Sequence, residues 1–227
     1  LWWTYVVEQI GASTNEPAFG MDALVNYWQQ NETNANNNAT KDGIGTLNDM
    51  LADIGSPRRF EDLFQDFAVA NYLKDYLTNP PPAGYAKYNY IDEETYTLNG
   101  NTYGSVKLTV YNDLLPDQPI FGVTAVQAWG ARYFQVDPDP TVPSVNIEIE
   151  TLAGTPHPLY YKVVLLEGGN IVGEYAEIGT SFSFSIDNGP DYDRIAVIVA
   201  SMDNPVNFTY GFNLTDGIFI LSPTQQQ

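Results

Sequence analysis

Cysteine is absent from the 227 residues, which excludes thiol catalysis, thiolate metal sites and disulfide bridges within this chain. Histidine occurs once, at His157 in TPHPLYY, so no two-histidine HExxH metal motif exists and any Ser-His-Asp arrangement would have to use that one imidazole. Flanked by prolines and far from any helical pattern, His157 reads as a surface loop residue. Positive charge is scarce as well: 9 Lys plus Arg stand against 28 Asp plus Glu, a formal net charge of −19. Duplex nucleic acid and anionic lipid would be repelled over most of such a surface, whereas divalent cations would be attracted. No apolar run approaches the roughly 18–20 residues of a membrane span, and no GxSxG elbow or Gly-rich phosphate loop is present.

What the chain has is aromatic and apolar substance: 14% of residues are Phe, Trp or Tyr, 16 of them Tyr. The most strongly patterned stretch is Ser56–Leu77, where Ser56 and Pro57 read as a helix start and Glu61 and Asp62 favour the positive end of the dipole. Phe60, Leu63, Phe64, Phe67, Ala70 and Leu73 recur every three or four residues and form one wide apolar stripe. Three further helices are expected before it. The first, Leu1–Ile10, carries Trp3, Val6, Val7 and Ile10 on its face and stops at Gly11. A second opens near Asn15-Glu16-Pro17 with Met21, Leu24, Val25 and Trp28 buried, and a third carries Ile44, Leu47, Leu51 and Ile54 before Gly55. Asn31–Gly43, with no apolar residue larger than Ala, reads as an exposed loop.

Three prolines from Pro80 to Pro82 then forbid helix. Beyond them the period shortens toward two, with Tyr96 and Leu98, an Asn99-Gly100 turn signal, and Val106, Leu108 and Val110 as a hairpin. Runs at Phe121–Val126, from Trp129 to Val136, at Tyr161–Leu166 and, of the buried-strand type, at Ile195–Val199, with alternating segments at Val145–Ile149, Ser181–Ile186 and Phe208–Phe212, complete the strand pattern. The expected fold is α+β: a helical subdomain over 1–79, a hairpin and sheet subdomain over 85–137, and over 144–222 a β-sandwich, Ig-like or jelly-roll. Gly217–Ser222, GIFILS, reads as a further strand, either the last strand of its own sheet or one able to add to a neighbour's sheet edge.

Calcium is the metal that the composition invites. Asp187, Asn188, Asp191 and Asp193 gather oxygen ligands of the kind a hard cation takes into one turn, although the spacing is not that of an EF-hand; the alternative is an acidic turn without an ion. Asp113, Asp117, Asp137 and Asp139 are weaker candidates of the same type. Glu93-Glu94 and Glu61-Asp62 are carboxylate pairs that read as a solvated loop and a helix start rather than an acid–base pair. Sequons stand at Asn31, Asn38, Asn207 and Asn213, each with Thr in the third position, and imply an extracellular glycoprotein.

The order of LWWTYVVEQIG, a helix ending at LVNYW, a helix ending in ADIG, and FEDLFQDFAVANYLKD resembles the later helices of the catalytic domain in secreted gluzincin-type zinc metallopeptidases, of the immune-inhibitor-A-like or hyicolysin-like groups. VQAWGARYFQV and DRIAVIVASMDNPVNFTYGFNL are similar to the β-domains that follow it. The resemblance spans most of the chain but omits the HExxH helix, so it implies secretion and ancestry rather than peptidase activity in this chain alone. A start inside an apolar helix carries the expectation of a precursor part upstream. Three readings follow: a non-catalytic extracellular protein that self-assembles into a filament or surface layer, the processed C-terminal part of a peptidase whose catalytic helix lies elsewhere, and a carbohydrate- or surface-binding module using its aromatics. The partners expected are further copies of the chain or the missing precursor part, with neither nucleic acid nor a membrane span.

Overall fold

The computed structural model describes residues 2–11, 20–37, 43–73, 85–88, 96–98, 101–103, 106, 108–111, 120–138, 144–152, 157–187, 191–202 and 206–213. The chain is α+β, with helices first and strands after them, and divides into two compact units, Leu1–Val106 and Lys107–Gln227. The proline run at 80–82 therefore lies inside the first unit rather than at its end.

The first unit contains α1 (Trp2–Ile10), α2 (Met21–Asn36), α3 (Ile44–Asp53), α4 (Phe60–Leu73), a 3-10 turn at Ala86–Tyr88, and the short antiparallel strands β1 (Tyr96–Leu98) and β2 (Asn101–Tyr103). α4 is the most buried helix and packs against α1, α3 and the 3-10 turn; Leu63, Val69, Ala70 and Leu73 are wholly inaccessible. It begins at Phe60 rather than Ser56. Asp62 reaches back to the Arg59 backbone N–H at 2.8 Å and Asn48 of α3 accepts from the Phe60 N–H at 2.7 Å, so two orphan donors of the first turn are satisfied. α3 stops where the sequence places its stop. Gly55 takes a positive φ of 73°, and the bonds from Ser56 N to Leu51 O (2.9 Å) and from Gly55 N to Ala52 O (3.0 Å) form a Schellman cap.

α1 and α2 differ from the expected faces. Trp2, not Trp3, packs among Phe60, Phe64 and Phe67 of α4, with centroid distances of 5.3, 6.3 and 5.2 Å. Of the face expected for α2, Met21, Val25 and Trp28 are exposed, Trp28 by 62%. The buried side of α2 is made by Ala23 and Asn34. Asn34 Nδ2 donates to Thr46 Oγ1 and Asp49 Oδ2 of α3, so the helix runs through Asn31–Asn36, where a loop was expected, because its packing contacts there are polar.

The second unit holds β3 (Leu108–Tyr111), β4 (Ile120–Val126), β5 (Ala131–Val136), β6 (Ser144–Thr151), β7 (Leu159–Glu167), β8 (Asn170–Gly179), β9 (Ser181–Asp187), β10 (Arg194–Ala200) and β11 (Val206–Asn213). They form a five-stranded sheet in the order β3-β5-β10-β7-β8 and a four-stranded sheet in the order β4-β11-β6-β9. Setting β3 aside, the eight strands β4–β11 are wired β5-β10-β7-β8 and β4-β11-β6-β9. This is the double Greek key of a jelly roll, and it decides between the two sandwiches that the sequence left open. Two groupings change with it. β4 and β5 belong to this sandwich rather than to a separate subdomain, and Leu108–Tyr111 pairs in parallel with β5 rather than forming the second arm of the hairpin. The arm that pairs with Tyr96–Leu98 is Asn101–Tyr103, Leu98 standing opposite Asn101. The β7–β8 hairpin turns on Gly168 and Gly169, whose φ values of 55° and 78° suit a two-residue turn of the primed type that side chains disfavour.

Between the sheets lies one core, with Phe134, Val136, Ile147, Ile149, Tyr161, Val163, Val197, Phe208 and Phe212 among its members. Tyr161 is fully buried, and its ring stacks on Phe182 at 5.3 Å, yet among the described residues its hydroxyl has no hydrogen-bond partner. Burying an unsatisfied hydroxyl costs about 1–3 kcal/mol. Tyr161→Phe is therefore expected to leave the fold intact and raise its stability by about 1 kcal/mol in chemical denaturation; a loss of stability would show that the hydroxyl is satisfied in solution.

Burial also pushes the Tyr5, Tyr111 and Tyr161 phenols well above their ordinary range, against the nearby Arg58 charge at Tyr5 and with added help from the Tyr210 hydroxyl at Tyr111. Because the folded-state values are raised, the stability these groups contribute is present below the unfolded value of about 10 and is lost as pH rises beyond it. In an alkaline titration of tyrosinate absorbance, part of the 16-Tyr signal is expected to appear only together with unfolding.

Candidate functional site

The acidic turn does not assemble into a metal centre from the residues described. Asp187 ends β9, Asp191 and Asp193 precede β10, and Asn188 lies outside the described residues. Asp193 serves the β7–β8 turn instead: its Oδ2 accepts the Gly168 N–H, and its own N–H donates to Leu166 O at 3.0 Å. Among the described residues no group of three acidic or imidazole side chains stands at metal-binding separation. His157 is half-buried in the segment leading into β7. Asn31 is exposed on α2, Asn207 is exposed on β11, Asn213 is the last residue of β11, and Asn38 lies outside the described residues.

One charged cluster is well built. Arg58 donates to Gln9 Oε1 (3.0 Å), to the Tyr5 hydroxyl (3.1 Å) and to Asp66 Oδ2 (2.7 Å), while Tyr5 and Gln9 donate in turn to the carbonyls of Lys87 and Ala86. These contacts tie α1, the segment before α4, α4 itself and the 3-10 turn together. Both terminal nitrogens of Arg58 are spent on other elements of the unit, while its buried Nε has no partner among the described residues, so the arrangement positions helices.

The feature that faces outward is the four-stranded sheet. Inward-facing residues of β4 and β11 are Ile120, Thr124 and Val126 opposite Phe212, Phe208 and Val206; the intervening Phe121, Val123 and Ala125 point away from the core, as do Thr209 and Asn207. β4 is an outer strand of the sheet among the described residues, with Phe121 exposed by 51% and Val123 by 66%. Its sequence, IFGVTAV, contains no charge and no proline. Strand position is fixed from below. Gly122 lies under the Tyr210 ring, where an added Cβ would approach to 2.2 Å, and Tyr210 shares a 2.7 Å hydrogen bond with the Tyr111 hydroxyl. Arg132 Nε holds the Ala125 carbonyl at 2.6 Å. An uncharged, largely apolar outer strand held in one register is a surface suited to pairing with another strand. The alternation at Phe121–Val126 was legible as a strand, but its place at the edge was not.

The described residues thus define a jelly-roll domain with β4 as an outer strand, in a chain that also holds a helical unit. No protein-family model and no curated protein matches the chain. Among solved structures it is similar to the Yersinia pseudotuberculosis-derived mitogen at 8% identity and a TM-score of 0.34, covering 47% of this chain and 93% of that one. It is similar to a Bacillus endospore appendage protein, of a family described as disulfide-linked pili, at 16% identity and a TM-score of 0.27, covering 43% and 87%. It is also similar to the Tobacco streak virus coat protein at 10% identity and a TM-score of 0.23, covering 50% and 97%. No described helix is long and apolar enough to cross a membrane.

Proposed function

We propose that this chain is a non-catalytic structural protein that assembles with copies of itself outside the cell. The observation that carries the reading is β4, an outer strand among the described residues, on which Val123 is 66% exposed and Phe121 half-exposed along an uncharged, proline-free segment. Covering the exposed part of these side chains against a neighbour contributes a fraction of the roughly 1.5–3 kcal/mol of a full burial, and strand pairing satisfies the edge backbone groups as well. The exposed sequon side chains Asn31 and Asn207 support an extracellular setting. The net charge of −19 opposes association at low ionic strength, so assembly is expected to strengthen as salt screens the repulsion.

Light scattering across a concentration and salt series tests the reading, with mass rising above that of the 25.2 kDa chain as the expected result. Phe121→Lys with Val123→Lys is expected to return the particles to monomers while far-ultraviolet circular dichroism stays unchanged, because both side chains are already solvent-exposed. A variant lacking residues 217–227, which lie outside the described residues, shows whether the GIFILS segment contributes. A native chain that stays monomeric at every concentration and salt level overturns the proposal.

A further inference from the structure

The two sheets treat their edges differently. In the five-stranded sheet one outer strand, β3, is four residues long, and the other, β8, has a register irregularity opposite Leu165–Leu166 and carries Glu174 and Glu177. Short strands, bulges and charges are the usual means of blocking unwanted pairing. Among the described residues, the outer strands of the four-stranded sheet have neither a short length nor a register shift, and carry a single charge between them. β4 pairs with β11 without interruption from Ile120 to Val126, and β9 pairs with β6 without interruption from Ser181 to Asp187. Both outer strands are seven residues long, and Asp187, at the end of β9, is the one charge on either.

Direction and face agree as well. Every pairing in this sheet is antiparallel, so β4 and β6 run one way and β11 and β9 the other. With four strands, a copy displaced along the sheet without reversal brings its β4 antiparallel to the first copy's β9, and the pattern continues unbroken. The outward residues then share one face: Phe121, Val123 and Ala125 on β4, and Ser181, Ser183 and Ser185 on β9, all three serines being exposed.

The geometry points to a head-to-tail contact in which β4 of one copy adds to β9 of the next, extending the four-stranded sheet from molecule to molecule. This rests on the self-assembly reading above and names its interface. One kind of contact satisfies both unprotected edges, whereas a two-fold β4–β4 contact would leave β9 free. A heterologous contact between opposite edges repeats from copy to copy, giving a filament where the rotation between copies does not close and a ring where it does.

The absence of cysteine makes the test clean, because every disulfide must come from an introduced pair. Val123→Cys is combined in the same chain with Ser181→Cys, Ser183→Cys or Ser185→Cys, three registers on one face, and oxidised mildly after circular dichroism confirms the fold. β4 and β9 are separated by three strand spacings of about 4.8 Å within one molecule, which is beyond disulfide reach, so a bridge forms only between molecules. At least one pair is expected to give a ladder of dimers, trimers and higher species on non-reducing gels, and mixing the two corresponding single variants is expected to give dimers. Val123→Cys alone is expected to give none. Dimers from Val123→Cys alone, or no ladder in any register while light scattering still reports assembly, would overturn this interface and leave the self-assembly reading standing. Monomers by light scattering would sink both.

Discussion

Replacing Arg58 by alanine is expected to destabilise the helical unit by roughly 2–3 kcal/mol, less than the 3–5 kcal/mol of a fully buried pair because about a fifth of each side chain remains accessible. The substitution removes the cation beside Asp66 and the donors to Gln9 and Tyr5, and with them the ties between α1 and α4. Lysine is not an adequate replacement: one ammonium cannot reach these three acceptors with the geometry of a planar fork, so Arg58→Lys is expected to recover only part of the loss. Denaturant unfolding followed by tryptophan emission reads this unit well, since Trp2, Trp3 and Trp28 are three of the 4 Trp and all lie in it. An Arg58→Ala midpoint equal to that of the parent would mean that the cluster is incidental to the packing. An Arg58→Ala, Asp66→Ala double variant no worse than the single would confirm that the cost comes from the abandoned carboxylate.

The larger effect is expected in the sandwich. Phe208 is fully buried at the centre of β11 and meets Phe134 edge-on at 6.4 Å and Tyr210 at 6.5 Å. Phe208→Ala opens a cavity between two sheets whose strands are held by their ladders, so the site collapses little, and the cost is expected to be about 3–5 kcal/mol. Val123→Ala, one position from Thr124, the residue that faces Phe208, but on the exposed side of the strand, is expected to change folding stability by less than about 0.5 kcal/mol. Calorimetric melting of both variants checks the contrast. Similar losses in the two would contradict the assignment of inward and outward faces on which the proposed interface depends.

Much of this architecture was legible in the chain. α4 was readable because its buried contacts are apolar and recur at the helical period, and α3 because Gly55 alone among its neighbours accepts the left-handed conformation that the cap requires. β6, β7, β9, β10 and β11 were readable because one or both faces of each are buried, which writes alternation or an apolar run into the sequence.

The rest was decided by tertiary contacts. α2 was read with the wrong face, and its last two turns as loop, because it is held by Asn34 against Thr46 and Asp49, and hydrogen bonds between polar side chains leave no hydrophobic period. β8 went unread because its apolar residues, Ile171, Val172, Tyr175, Ala176 and Ile178, do not alternate, being interrupted by Gly173, Glu174 and Glu177, and most of them are exposed rather than lined up on a buried face. The parallel β3–β5 pair, the jelly-roll wiring and the position of β4 at an edge depend on which strands become neighbours. By itself the sequence determined where the chain coils, where it extends, and which positions are apolar. Only the tertiary structure decided which of those apolar positions face the core and which remain in solvent, because Phe121 and Val123 have the same chemistry as Phe134 and Val136 and differ only in the side of the sheet on which pairing places them.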